Sequence, residues 1–254
     1  MKYAYLSETV GIKKISETKT EGVFEIDGLY AGYGITIGNS LRRVLFSSLP
    51  GSVITQIKIK GVSHEFSTLP GVMEDIVELS LNLKKIRFLT HADGPQVITL
   101  KVKGEKAVTA ADIKVNAQVE VINLDSYIAT LSSKNAELDM ELTVEKGLGF
   151  MSAEARQKEK LPIGVIILDA AFSPVIKANF GVENMRIEDR TDFNRLKVEI
   201  TTDGSIAPSV ALRKACNILQ DHFAKISEIA VEGDEEEKKV AKKTTKKEEK
   251  EEDK

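Results

Sequence analysis

The sequence is poor in the residues that form cross-links and many catalytic sites. It has one cysteine, three histidines and no tryptophan among 254 residues. The single cysteine, Cys216, excludes an intramolecular disulfide and favours a reducing compartment such as the cytoplasm. No apolar run approaches the roughly 18–20 residues that cross a bilayer, so we predict no transmembrane helix and no membrane partner. The N-terminus also lacks an unbroken apolar stretch followed by a cleavage site, which predicts that there is no secretory signal.

The sequence also lacks a dominant charge. Lys and Arg number 36 against 39 Asp and Glu, and the net charge is -3. This balance disfavours a stand-alone nucleic-acid-binding protein, which would carry a basic surface. The final residues, Gly233–Lys254, contain nine acidic residues, eight lysines and almost no apolar side chain. We therefore predict that 233–254 is a disordered, self-neutralising tail.

Period-two alternation of apolar residues predicts strands at Val53–Ile59, Leu138–Val144 and Leu196–Ile200. Shorter β-rich runs at 97–102 and 119–122 predict further strands. Leu161–Leu168 is a denser apolar run, which is typical of a strand covered on both faces.

Helical spacing of apolar residues occurs three times. A first helix is predicted at about Thr36–Leu49, capped by Thr36 and ended by Pro50-Gly51. A second apolar stripe runs from Val72 to Ile86, and a third, longer one begins after Pro208 and reaches Ile229. Gly38, early in the first helix, would let another part of the chain approach closely. Since strands cluster and helices do not alternate with them, we predict an α+β fold with mostly antiparallel strands.

No arrangement of residues predicts catalysis, cofactor binding or a metal centre. His64-Glu65 begins a zinc-protease motif, but Thr68 stands where the second histidine is required. The glycine-rich stretch Gly28–Gly38 has neither the dinucleotide-binding nor the P-loop spacing, which favours a packing role. A free-standing enzyme therefore lacks the convergent titratable groups that it would need.

The chain resembles a known family over about residues 1–232. The stretches that carry the resemblance are Gly32–Gly51 (GYGITIGNSLRRVLFSSLPG), Gly61–Ile76 (GVSHEFSTLPGVMEDI), Leu81–Lys84, Pro162–Gly164, Ser173–Val175, Val182-Glu183, Arg190–Asp192 and Asp203-Gly204. In this order they are similar to the N-terminal domain of the bacterial RNA polymerase alpha subunit. Together they are far more specific than any one of them alone.

The resemblance implies a particular α+β architecture. A discontinuous dimerisation subdomain, with an antiparallel sheet and two long helices, would comprise residues 1–50 and 175–232. A mostly β subdomain would be inserted at residues 51–174. The first and last helices would pair two copies of the chain in a closed, isologous interface.

The resemblance also implies which residues meet partners. The two predicted helices supply the apolar residues expected at the dimer interface: Ile37, Leu41, Val44, Leu45, Leu212, Ala215, Leu219, Phe223 and Ile226. The segments that match the family's beta-facing motifs contain Asn39, Arg42, Arg43, His64, Glu65, Ser67, Thr68, Gly71, Glu74 and Asp75. The stretch Asn179–Arg195 matches the family's beta-prime-facing part, with Val182, Glu183, Arg190, Thr191 and Asp192 as the expected contacts.

The implied function is that of an assembly subunit of DNA-directed RNA polymerase, a nucleotidyltransferase. A cytoplasmic homodimer would serve as the platform for the beta and beta-prime subunits, with the omega subunit joining the assembled core and DNA contacted only indirectly. The catalytic residues and the magnesium ion would belong to the partners, so this subunit would have no cofactor. Family members usually continue into a C-terminal DNA-binding domain, which we expect to be absent here. The alternative that remains is a free-standing α+β homodimeric enzyme with a cleft between its subdomains.

Overall fold

The structure is a computed structural model, and it describes residues 8–156, 162, 164–187 and 190–229. By its internal contacts the chain divides into one unit that ends at Cys216 and a second that begins at Asn217. The predicted tail at residues 233–254 lies outside the described residues. The boundaries that the resemblance implies, at residues 50 and 175, stay predictions.

The described residues form helices of 4 to 19 residues and many strands. The helices are α1 (Tyr33–Ser47), α2 (Ile76–Leu83), α3 (Ala153–Arg156) and α4 (Pro208–Ile226), with a 3₁₀ turn at Ala110–Asp112. The strands of the first half are β1 (Gly11–Glu17), β2 (Glu21–Leu29), β3 (Pro50–Ile59), β4 (Phe88–Thr90), β5 (Gln96–Lys103), β6 (Lys106–Thr109), β7 (Ile113–Lys114) and β8 (Val119–Val121). Those of the second half are β9 (Tyr127–Leu131), β10 (Glu137–Leu148), β11 (Phe150–Met151), β12 (Val165–Ile167), β13 (Ala170–Ala171), β14 (Val175–Ile187) and β15 (Arg190–Thr202).

A four-stranded antiparallel sheet joins strands from both ends of the chain in the order β1-β2-β15-β14. One face is apolar: Phe24 lies opposite Val198 in the register, and both are buried. The other face is charged, because the alternation of the strands places Glu25 opposite Lys197 there. Such a sheet needs a cover on its apolar face only.

Helix α1 lies against this apolar face, and two glycines allow the close approach. A Cβ atom on Gly38 would lie 2.5 Å from Phe180 Cδ2 and 2.9 Å from Leu196 Cδ1. A Cβ atom on Gly34 would lie 2.7 Å from Val182 Cγ1. The packing role predicted for Gly38 is confirmed.

The start of α1 differs from the sequence prediction. The helix begins at Tyr33 rather than Thr36, after Gly32 in the left-handed conformation with φ 85°. The amide oxygen Oδ1 of Asn194 accepts hydrogen bonds from the backbone N–H groups of Gly32, at 2.9 Å, and Gly34, at 3.4 Å. Thr36 is not the cap, because its hydroxyl donates back to the Gly32 carbonyl at 3.3 Å. The capping group thus comes from a strand about 160 residues away.

Helix α4 begins in a similar way. Ala207 before Pro208 offers no capping side chain, and Glu17 at the end of β1 supplies one instead. Its Oε1 accepts the backbone N–H of Ser209 at 2.9 Å. Hydrogen bonds from the Ser209 side chain, from Lys14 and from this backbone N–H together lower the pKa of Glu17 to about 2.

A second, seven-stranded sheet runs β7-β5-β10-β3-β4-β8, with β12 paired to β3. Its core includes Ile57, Leu100 and Leu142, together with Leu79 and Leu83 of α2, all of them buried. Helix α2 is shorter than its apolar stripe predicted, since Asp75 caps it at one end and it finishes at Leu83.

The predicted α+β class with mostly antiparallel strands is confirmed, and every strand pair among the described residues is antiparallel. The strand predicted at 161–168 is wrong in extent. Only Val165–Ile167 is a strand there, and Ile166 alone of its three residues is buried. Leu161 and Ile163 of the same run lie outside the described residues.

Candidate protein-interaction surfaces

Two arginines of α1 face a groove beside strand β14. Arg42 and Arg43 are exposed, and with Phe46, Ile176 and Lys177 they line an open groove of about 590 Å³. The guanidinium carbon of Arg42 lies 5.7 Å from the centroid of the Phe180 ring, within the range of a cation–π contact. The neighbouring Asn39 is also exposed on the helix. We name this feature the arginine groove.

The arginine groove carries positive charge that no described residue of the chain neutralises. Its lining, in the part of the chain that the structure describes, contains no aspartate or glutamate. Within residues 8–156, 162, 164–187 and 190–229, no salt bridge involves Arg42, Arg43 or Lys177, although many other lysines and arginines are paired. Unpaired cations beside apolar side chains are typical of surfaces that bind an acidic partner.

The loop before α2 presents polar and apolar side chains together. His64, Glu65 and Thr68 are exposed, and Ser67 is half-buried and donates its hydroxyl to the His64 carbonyl at 2.5 Å. Phe66, which is not among the contacts expected from the sequence, is 79% exposed. His64, Glu65 and Phe66 border a second open groove of about 580 Å³, which we name the histidine groove.

Two carboxylates of this loop accept hydrogen bonds within the fold. Glu74 is buried, and its carboxylate accepts hydrogen bonds from the Thr130 backbone N–H, at 2.8 Å, and from the Tyr127 hydroxyl. Burial and the Glu74 carboxylate raise the pKa of Tyr127. Asp75 accepts the backbone N–H of Glu78 at 2.7 Å as the N-cap of α2. Gly71, half-buried with φ 82°, forms the turn between the exposed residues 64–68 and the two hydrogen-bonded carboxylates.

The hairpin of β14 and β15 holds the remaining predicted contacts. Arg190 donates to Asp192 twice, at 3.0 and 2.7 Å, and lies 4.7 Å from the centroid of the Tyr30 ring. This pair lowers the pKa of Asp192. Thr191 and Glu183 are exposed, and Val182, half-buried, lies over Gly34 of α1. The arrangement is a braced, exposed hairpin.

Comparison with known proteins identifies the family of the chain. A model of the RNA polymerase Rpb3/RpoA insert domain matches residues 57–173. The chain is 50% identical over 201 residues to the DNA-directed RNA polymerase subunit alpha of Moorella thermoacetica. The aligned residues are 79% of this chain and 64% of that protein. It is 44% identical over 221 residues to the alpha subunit of Symbiobacterium thermophilum, covering 87% of this chain and 70% of that one. The chain belongs to the RNA polymerase alpha-subunit family.

The chain spans about two thirds of the length of the alpha subunits that it matches, 64% in the first case and 67% for the protein of Alkaliphilus oremlandii, to which it is 45% identical. The expectation that the family's C-terminal DNA-binding domain is absent stays a prediction.

The helices that the alpha-subunit resemblance assigns to dimerisation use part of their apolar residues within the protomer. Leu41 and Leu45 of α1 are buried in the fold, as are Leu212 and Ala215 of α4. These four side chains have almost no surface to offer a second copy. The expected interface residues that keep accessible surface are the half-buried Ile37, Val44 and Leu219 and the exposed Phe223 and Ile226.

The alpha-subunit chain shows no cluster of three or more histidine, cysteine or acidic side chains fit for a metal ion in the residues that the structure describes. Cys216 lies on α4, and burial raises the pKa of its thiol. Among the described helices, none is long and apolar enough to span a membrane.

Proposed function

We propose that this chain is an assembly subunit of DNA-directed RNA polymerase. It forms a homodimer and serves as the platform for the beta and beta-prime subunits in DNA-templated transcription. The observation that carries the proposal is the 44–50% identity to alpha subunits over 79–87% of the chain. At this level of identity a protein shares its fold with its relatives.

The described surfaces are consistent with such a role. A subunit that binds large partners needs exposed apolar side chains to bury and charged groups to orient the partner. Phe66 and Met73 are both more than 70% exposed, and the arginine groove carries unpaired cations. In the proposal, beta occupies the arginine groove and the exposed part of the 64–75 loop, whereas beta-prime meets the β14–β15 hairpin.

The apolar residues of the helices that remain accessible would be covered by the second copy. Phe223 and Ile226 are 61% and 65% exposed, which is costly for side chains of this size in water. Burial of these residues together with Ile37, Val44 and Leu219 would form a closed, twofold interface.

The chemistry of nucleotide addition, with its magnesium ion, belongs in this proposal to the large subunits. The omega subunit joins the assembled core, and DNA contacts this chain only through the assembly. A cytoplasmic location follows, because the polymerase works where its DNA template is.

Co-expression with the large subunits tests the proposal. The purified chain should behave in light scattering as twice its 27.9 kDa mass, and tagged chain should retain beta and then beta-prime. A monomer at micromolar concentration contradicts the dimer. A dimer that retains neither large subunit contradicts the platform.

A further inference from the structure

The histidine groove and the arginine groove are connected on the surface by a series of smaller grooves. The histidine groove shares Glu65 and Asp169 with a smaller groove of about 160 Å³ that Leu81 also lines. That groove shares Lys84 and Asp169 with another, of about 180 Å³, that Phe150 lines. All of these residues lie in the unit that ends at Cys216.

The turn at 148–151 continues this series to the arginine groove. A Cβ atom on Gly149 would lie 3.6 Å from the carbonyl oxygen of Ser47, and Ser47 lines the arginine groove. Leu148 and Phe150 flank Gly149 and are 59% and 68% exposed. The two segments assigned to one partner by resemblance therefore belong to a continuous surface, and this turn is the bridge between them.

The bridge is held rigidly. The Gly149 carbonyl accepts the backbone N–H of Phe172 at 2.8 Å, and β11 pairs with β13. Asp169, next to that pair, binds Lys84 Nζ and the Ala153 backbone N–H, each at 2.9 Å. A turn whose backbone is already held in place loses little backbone entropy when a partner covers it.

Exposed apolar side chains mark the whole length of the series. They are Phe66, Leu81, Leu148, Phe150, Ile176 and Phe46. At the arginine groove this apolar series ends beside Arg42, Arg43 and Lys177, which have no carboxylate partner among the described residues. The histidine groove at the other end also carries the carboxylates of Glu65 and Glu154, so an acidic group of a partner would lie at the arginine groove and its apolar side chains along the rest.

We infer that the Leu148–Met151 turn is a further partner-binding element, which makes the grooves one docking surface for an acidic and apolar polypeptide segment of the large partner. Apolar side chains of that segment pack on Phe66, Leu81 and Phe150. A carboxylate of the same segment pairs with the cations of the arginine groove. The identity of the partner as the beta subunit rests on the proposed function.

The test uses the full chain co-expressed with tagged beta. Phe150→Ser removes the central apolar contact and should weaken beta binding about tenfold or more, as the loss of a central aromatic anchor does. Val97→Ser is the matched control, because Val97 is 58% exposed on β5 and lines none of these grooves. Both variants should keep the wild-type mass and circular dichroism spectrum, since each removes an exposed side chain.

A charge reversal tests the other end of the surface. Lys177→Glu should weaken beta binding and reduce its dependence on salt, whereas Lys134→Glu, in an exposed turn elsewhere, should do neither. If wild type retains beta and Phe150→Ser retains it equally well, the inference is wrong and the proposed function stands. If the wild-type chain retains no beta at all, the proposed function itself is wrong.

Discussion

The contact between Gly38 and the sheet can be tested by adding a single methyl group. In Gly38→Ala the new Cβ atom would lie 2.5 Å from Phe180 Cδ2 and 2.9 Å from Leu196 Cδ1. Real Cβ atoms essentially never approach this closely, so something must shift. Leu196 is fully buried and has no free space, whereas Phe180 is half-buried and can move part of the way.

Two opposing effects determine how much Gly38→Ala changes the free energy of unfolding. Overpacking of a close contact costs about 1–3 kcal/mol. Alanine in place of glycine within a helix returns roughly 0.8–1 kcal/mol. Because Leu196 has no space to move into, we expect an overpacking cost in the upper part of that range. The net loss in the free energy of unfolding is then about 1–2 kcal/mol.

Urea denaturation at pH 7, with circular dichroism as the signal, measures this loss as a lower midpoint at an unchanged slope. Gly181→Ala is the control, because a Cβ atom at Gly181 would have no neighbour within 4 Å. We expect the control to match or slightly exceed wild type in stability. If Gly38→Ala is as stable as Gly181→Ala, the close packing of α1 on the sheet is refuted.

Three further predictions concern titration, a buried carboxylate and the arginine groove. Because the pKa of Glu17 is lowered to about 2 from the ordinary 4.5, its stabilising effect is complete above pH 4.5 and disappears as the pH falls toward 2. The stability difference between wild type and Glu17→Gln should therefore shrink over that window in urea titrations, and a constant difference would show that the bond to Ser209 is not sensitive to charge. Glu74→Ala leaves the Thr130 N–H without its acceptor and should cost about 1–3 kcal/mol, read as a lower melting temperature; an unchanged one contradicts the structural role of this carboxylate. Arg43→Ala should leave the dimer mass unchanged and reduce co-purified beta, and unchanged recovery of beta would exclude Arg43 from that interface.

Several strands with a buried and an exposed face were predictable from the sequence, although β2 was not predicted. The apolar alternation in β3 and β10 reflects the physical demand that one face of a strand meets the core. Edge strands gave no such signal. All residues of β1 but the last are exposed, and β14 has only two fully buried residues. An edge strand is recruited by its neighbour through backbone hydrogen bonds, and these leave no pattern in the side chains.

The helix ends illustrate a second limit. The N-terminus of α1 is capped by Asn194, and that of α4 by Glu17. Both partners are distant in sequence, so local capping rules predicted the wrong group for α1 and left α4 without one.

The candidate surfaces were predictable only in their polar part. Arg42 and Arg43 were expected to be accessible and they are, because a guanidinium group is rarely buried without a partner. The exposed Phe66, Phe150 and Ile176 were not singled out, since an apolar residue in a sequence is assigned to the core by default.

The sequence by itself determined the α+β class, several strands that carry a core face, such as β3 and β10, and the family to which the chain belongs, because hydrophobic periodicity and contiguous motifs are local properties of the chain. Tertiary structure alone decided that Leu41, Leu45, Leu212 and Ala215 are buried inside the protomer. It also brought the 148–151 turn beside Ser47 and so joined separate grooves. The physical reason is that burial and surface continuity depend on contacts between segments that are distant in sequence, and the pattern of one segment contains no information about which other segment will cover it.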